Sequence, residues 1–220
     1  MQITRQEYIK DLEALQHQVV LMGGAAAEAV KKAMQAFLEQ NQTMAKQVMR
    51  DDDVLDEMIV DIEDRCILLI AKQQPIARDL RVIATGFKLS TDLERIGDHA
   101  YDIAKAVGGL SGSSPAFQYT KQLADCAVEM VEGAIDAYAH ADIALAEDIC
   151  RRDDEMDALF AKTFLELSNL VTREAEQADQ MTQLLFIARY LERIGDHATN
   201  IAEWVIYLET AERIRKVHKN

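Results

Sequence analysis

The sequence has little of anything that breaks or bends a chain. Its 220 residues include 2 Pro and 9 Gly, and aromatic residues make up 6%. So little turn chemistry, with few β-rich runs, excludes an all-β fold. The three cysteines, Cys66, Cys126 and Cys150, form no Cys-x-x-Cys pair and lie in apolar-periodic stretches. That pattern points to buried reduced thiols rather than a disulfide frame. The longest apolar run, Cys66 to Ala71, is far short of a membrane span, and the first residues are charged from Arg5 onward with no apolar signal-peptide core. The expectation is a cytoplasmic chain. Positive charge is also scarce: 24 Lys+Arg stand against 38 Asp+Glu, for a net charge of −14. Such a chain repels phosphate backbones, which excludes sequence-independent binding to nucleic acid.

What is present favours helix. Apolar residues make up 49% of the chain, too many for a disordered one. They recur at spacings of three and four almost everywhere. The stripe Leu12, Leu15, Val19, Met22, Ala26, Val30, Ala33, Phe37 predicts a first helix of about eight turns. Asn41 then reads as an N-cap, with a second helix from Met44 to about Lys72. Pro75 suits the first turn of a third helix reaching about Val107. Three more periodic stretches follow, over about 116–140, 142–175 and 178–209, and a basic tail from Arg213. Between the two sets lies the one Gly/Ser-rich segment, Gly108 to Pro115.

The chain repeats itself. The octapeptide Leu-Glu-Arg-Ile-Gly-Asp-His-Ala occurs at Leu93–Ala100 and again at Leu191–Ala198. A shift of 101 positions also superposes Ala33 on Ala134, Asn41 on Asp142, and Asp52, Asp53 and Asp56 on Asp153, Asp154 and Asp157. The shift is 98 at the octapeptide, so the first copy carries three extra residues, expected in the turn around Gln73–Pro75. The prediction is an all-α fold of six long helices: a three-helix unit over 1–107, a linker over 108–115 and a second three-helix unit over 116–220.

On the third helix Glu94, Asp98 and Asp102 follow at i, i+4 and i+8. By helical geometry they lie about 120–180° from the centre of the apolar stripe, and so are expected to face away from the core. The second copy repeats the ladder as Glu192, Asp196 and Asn200, with Glu203 near the next rung. Like charges four apart destabilise a helix by roughly 0.2–0.5 kcal/mol per pair, so something should compensate. One candidate is a hard cation held by carboxylates. Asp53 and Asp56 of the preceding helix could complete that site, and Asp154 and Asp157 could do so in the second copy. The other candidate is an ion-pair lattice with Arg95, Arg193, His99, His197 and nearby Lys88 or Arg189. Gly97 and Gly195 cost a helix about 1 kcal/mol each and point to close helix–helix approach.

No Walker A loop, GxGxxG, GxSxG or HExxH is present. Di-iron bundles need an inward Glu-x-x-His, and here Glu94 and His99 are five apart. No catalytic residue is assigned. A carboxylate-bridged metalloenzyme and a metal-free structural adaptor stay open beside a metal-binding regulator.

The stretch Gln73–Arg81, followed by Asp92–Ala100, resembles the PhoU family, and Arg189–Glu203 looks like that family's second repeat. The resemblance covers roughly 3–215. It implies two packed three-helix bundles, often dimeric, acting as a cytoplasmic negative regulator of phosphate uptake and the phosphate-starvation response. Its implied partners are the ATPase subunit of the phosphate ABC transporter and a PhoR-type sensor kinase. It further implies metal, iron or other cations, on Glu94, Asp98, Glu192 and Asp196, with Asn200 in the place of Asp102; by ligand chemistry manganese or magnesium suits the same carboxylates. The sequence shows no Arg cluster for an anion, so phosphate status is expected to reach the chain through partners or a bound cation.

Overall fold

The computed structural model describes residues 5–109, 117–173 and 178–213, and these form six long helices. They are α1 (Arg5–Leu38), α2 (Gln42–Gln73), α3 (Ala77–Ala106), α4 (Phe117–His140), α5 (Ile143–Arg173) and α6 (Ala178–Thr210), with a short 3-10 turn at Val107–Gly109 after α3. The linker expected at 108–115 and the tail beyond Arg213 lie almost wholly outside the described residues. No helix among the described residues is long and apolar enough to cross a membrane.

The two copies turn the same corner. Gln40 and Ala141 both take φ 53, the left-handed conformation that ends a helix. The next N–H closes the turn in each: Asn41 N–H donates to the Ala36 carbonyl at 2.8 Å, and Asp142 N–H to the Ala137 carbonyl at 2.9 Å. Asn41 Oδ1 then accepts from Met44 N–H at 3.1 Å, and Asp142 Oδ1 from Leu145 N–H at 3.0 Å. Each cap satisfies one of the donors that a helix start leaves open, worth about 1 kcal/mol.

Pro75 lies outside α3, which begins after Ile76 as its N-cap. The three extra residues of the first copy are not a longer turn. The octapeptide begins 16 positions into α3, from Ala77 to Leu93, and 13 into α6, from Ala178 to Leu191. The insertion therefore adds about one turn to the start of α3.

Within each half the three helices pack on one another, and the halves join through α1 against α4 and α3 against α6. Equivalent helices thus meet in antiparallel pairs about a pseudo-two-fold axis. Lys31 ion-pairs with Glu132, its own counterpart 101 positions on. At one end of the α3–α6 pair Arg78 reaches Glu209 at 2.8 Å, and near its middle His99 stacks on Tyr190 at 5.7 Å. The crossing falls near Ile96 and Ile194, both fully buried, so the two octapeptides lie against each other. Leu93, Leu191, Leu15 and Met22 are also without exposure, and full burial of such a side chain contributes roughly 1.5–3 kcal/mol.

Candidate functional site

Each octapeptide has two faces: one crosses its twin, and the other lies against the middle helix of its own bundle. On the second face the carboxylates gather, but not as an outward ladder. Glu94 keeps 21% of its side chain exposed and Asp98 38%, whereas Glu192 keeps only 11%. The expectation of a solvent-facing ladder is therefore corrected. The motif lies in the groove beside α2 and α5, because Gly97 and Gly195 let those helices approach. A β-carbon on Gly97 would run into Leu55 Cδ1 and come within 3.3 Å of Asp52 Oδ1. On Gly195 it would come within 3.0 Å of Met156 Cγ.

Asp52, not Asp53, is the inner aspartate of the first copy. The reason is the helical wheel anchored on buried Leu55: Asp52 lies about 60° from it, Asp56 about 100° and Asp53 about 160°. Asp53 and Asp56 are exposed and Asp52 is half-buried. Burial pushes the Asp52 carboxyl up to about 6, and the charges of Asp56, Asp98, Glu94 and Asp53 add to it. Burial first and Asp98 second also raise Glu94. In the second copy Met156 takes the place of Leu55, and Asp153 accepts a hydrogen bond from the Thr199 hydroxyl at 3.1 Å. Asp154 and Asp157 are exposed. Asp157 and, more strongly, Asp196 raise the Glu192 carboxyl, after burial as the leading cause.

The ion-pair alternative is realised in part. Arg95 meets Asp98 at 2.9 Å and Glu94 at 3.5 Å, and Arg189 meets Glu192 at 2.6 Å. Glu192 Oε2 is nevertheless buried without a hydrogen-bond partner. The third rungs leave the ladder. Eight residues turn a helix by about 80° beyond two full turns, so Asp102 and Asn200 rotate toward the α3–α6 crossing. Asn200 donates to Asp92 Oδ1 at 3.3 Å, and Asp102 lines the crossing groove.

That groove has a volume of about 790 Å³, and its lining includes Asp52, Asp92, Asp98, His99, Arg193 and His197. Neither histidine serves its own motif. His197 shares a hydrogen bond with Asp92 Oδ1 at 2.8 Å, and His99 turns to Tyr190. Asp92, Asp52 and Tyr190 are the residues that sequence reasoning left out of the site. Only Asp52 carried a signal, as part of the repeated aspartate run.

Among the described residues no group of three or more His, Cys, Asp or Glu side chains is gathered as a cation cage. The donors still suit a hard cation in kind. They are all carboxylate oxygens, burial and then neighbouring charge raise Asp52, Glu94 and Glu192, and one Glu192 oxygen is buried without a hydrogen-bond partner. Glu94, Asp98 and Asp52 are the residues that would hold it in the first copy, and Glu192, Asp196 and Asp153 in the second.

The comparisons with known proteins agree with the duplicated six-helix plan. The PhoU domain model matches residues 19–107 and again 120–205. The phosphate-specific transport system accessory protein PhoU homolog of Clostridium acetobutylicum is 40% identical over 215 residues, covering 96% of this chain and 98% of that one. The homolog of the same name from Pseudomonas aeruginosa is 33% identical, over 96% of this chain and 89% of that one. The crystal structure of PhoU from Pseudomonas aeruginosa superposes with a TM-score of 0.91 at 33% identity, covering 93% of this chain and 100% of that one. The phosphate transport system regulatory protein PhoU from Streptococcus pneumoniae gives a TM-score of 0.89 at 28% identity, over 94% and 99%. Two matched repeats, near-complete relatives and a shared six-helix architecture lead to one conclusion: this chain belongs to the PhoU family.

Proposed function

We infer that the chain is a non-catalytic regulatory adaptor of a phosphate transport system, restraining phosphate uptake and the phosphate-starvation response. It docks from the cytoplasmic side on the ATPase subunit of the phosphate ABC transporter and on a PhoR-type sensor kinase, and it works as a homodimer. The relatives' name, phosphate-specific transport system accessory protein, supports the transport half of this reading. A surface of net charge −14 suits partners with basic patches, steered electrostatically.

The single observation that carries the metal part is the crowding of Asp52, Glu94 and Asp98, where burial and mutual repulsion hold Asp52 at about 6. A cation of the iron, manganese or magnesium kind relieves that repulsion. A metal-free adaptor is the second reading, favoured by the Arg95 and Arg189 ion pairs that already offset part of the charge. A pull-down from phosphate-replete cells, with metal measured on the same sample, separates the two. Transporter and kinase subunits co-purifying with metal-loaded protein support the first. Subunits co-purifying with wild-type protein that carries no metal support the second. Failure to capture either subunit overturns the adaptor role.

A further inference from the structure

The C-terminal end of α6 carries a pocket that the regulatory reading leaves unused. Trp204 and Tyr207 stand edge to face, with ring centroids 5.3 Å apart and planes at 87°. Glu203, Trp204, Tyr207 and Arg213 line a small cavity of about 110 Å³ between them. The helix ends at Thr210, and Ala211 takes φ 61, a left-handed conformation that a β-carbon disfavours. The Thr210 hydroxyl accepts from Glu212 N–H at 3.0 Å and fixes the turn. The chain is thereby folded back, and the Arg213 guanidinium comes to rest 4.9 Å from the Trp204 ring centroid and 5.1 Å from that of Tyr207.

We propose that Glu203, Trp204 and Tyr207 form a guanidinium-binding pocket, held in cis by Arg213 and open to an arginine side chain of a partner protein when the C-terminal residues are displaced. Two ring faces at right angles and one carboxylate supply three electronegative walls. A planar, weakly hydrated cation can stack on one face and aim its N–H groups at another. An ammonium is a compact, strongly hydrated point charge and uses such walls less well. The pocket already holds a guanidinium, which identifies the chemistry. That guanidinium is tethered three residues past the helix end, so the occupant is exchangeable and the tether sets the concentration an incoming arginine must match. The inference does not rest on the regulatory role or on the metal site.

The chain contains 1 Trp, so fluorescence excited at the red edge of the indole band, beyond tyrosine absorption, reports on Trp204 alone. Wild type and Arg213→Ala are titrated with argininamide, lysinamide and choline at constant ionic strength, and folding is verified by far-UV circular dichroism. Arg213→Ala should give a saturable response to argininamide, with half-saturation lowered roughly threefold or more relative to wild type because the cis competitor is gone. Lysinamide and choline should bind more weakly, and adding Glu203→Gln to Arg213→Ala should weaken argininamide binding. Identical responses in wild type and Arg213→Ala, or lysinamide or choline matching argininamide, overturn the proposal. Should Arg213→Ala fail to fold, Arg213→Gln is read in its place by the same criteria.

Discussion

His99 and His197 occupy equivalent positions in the two copies and face each other across the α3–α6 crossing, with ring centroids 5.8 Å apart. Their surroundings are not equivalent. The residue seven positions before His99 is Asp92, which meets His197; its counterpart, Tyr190, stacks on His99. One exchange, Asp for Tyr, thus gives one imidazole a carboxylate and the other an aromatic face. His99 Nδ1 is buried without a partner. Burial first, then the charges of His197 and Arg193, lower its pKa to about 4.

A pH dependence follows. As pH falls below 6.5, the unfolded chain protonates this histidine before the folded one can, so the unfolded state gains. The stability held by neutral His99 is complete above pH 6.5 and is lost as pH falls toward about 4. Allowing for solvent screening, the loss is about 1–2 kcal/mol. His99→Phe keeps the stacking ring and removes the titration. Urea unfolding at pH 7.5, 5.5 and 4.5 should show a shallower loss for the variant than for wild type. Parallel curves would contradict the assignment.

Asp52 has the opposite sign. Its folded-state pKa of about 6 exceeds the ordinary 3.8, so its charge destabilises the fold above pH 6 and the penalty fades as pH falls toward 3.8. Asp52→Asn should stabilise the metal-free protein at pH 7.5 by about 1 kcal/mol after discount for its partial exposure, and should change nothing at pH 3.5. Unfolding midpoints at the two pH values decide it.

Much of this architecture is legible in the residues alone. Asn41 and Asp142 announce their helix starts because capping is local chemistry. The octapeptide announces the duplication because identity needs no structure. What escaped is what depends on a partner helix. The wheel placed Glu192 away from its own stripe, yet α5 covers that side, and a single helix has no record of its neighbour. The i+8 rungs failed for a simpler reason: eight residues turn a helix about 80° past two full turns, which takes Asp102 and Asn200 off the line that their spacing suggested. The duplicated His and Asp look like copies of one site, and only the crossing shows that part of the identity serves the contact of each copy with the other.

The two motif glycines should differ in worth. Replacing either by Ala gains about 1 kcal/mol of helix propensity. At Gly97 the new methyl collides with Leu55, which is 2% exposed and has no room to yield, so overpacking of roughly 1–3 kcal/mol outweighs the gain. At Gly195 the neighbour is Met156, at 3.0–3.1 Å, whose unbranched side chain adapts. Gly97→Ala should lower stability in urea melts and Gly195→Ala should be near neutral. Leu55→Ala combined with Gly97→Ala should cost less than the sum of the two single changes.

If the carboxylate clusters hold a cation, adding it should stabilise the fold by mass action, about 2.7 kcal/mol at a hundredfold excess over Kd. For a chain of this length that raises the thermal midpoint by roughly 5–10 °C. The first copy should fill before the second, because Glu192 is already buried against Arg189 and Asn200 is engaged by Asp92. Asp98→Asn should therefore reduce the thermal shift more than Asp196→Asn. Chelator-stripped protein whose midpoint is unmoved by millimolar manganese, magnesium or ferrous iron would remove the cation from the account.

The cysteines test the packing of α2 against α3 independently of any ligand. Cys66 is fully buried, its thiol donates toward the Ile83 carbonyl at 3.6 Å, and burial, helped by the charge of Glu63, pushes its pKa up to about 12. At pH 8 only about one molecule in 10⁴ carries the reactive thiolate there, and none of it meets solvent without opening. Cys126 is buried with a raised pKa, and Cys150 is partly exposed. Iodoacetamide at pH 8 should modify Cys150 first and Cys126 more slowly. Cys66 should react only at a rate that rises with urea, because it waits on the separation of α2 from α3. Peptide mass spectrometry of quenched time points follows all three. Labelling of Cys66 as fast as Cys150 in native buffer would mean that the α2–α3 face, and with it the desolvated Asp52, is open to solvent.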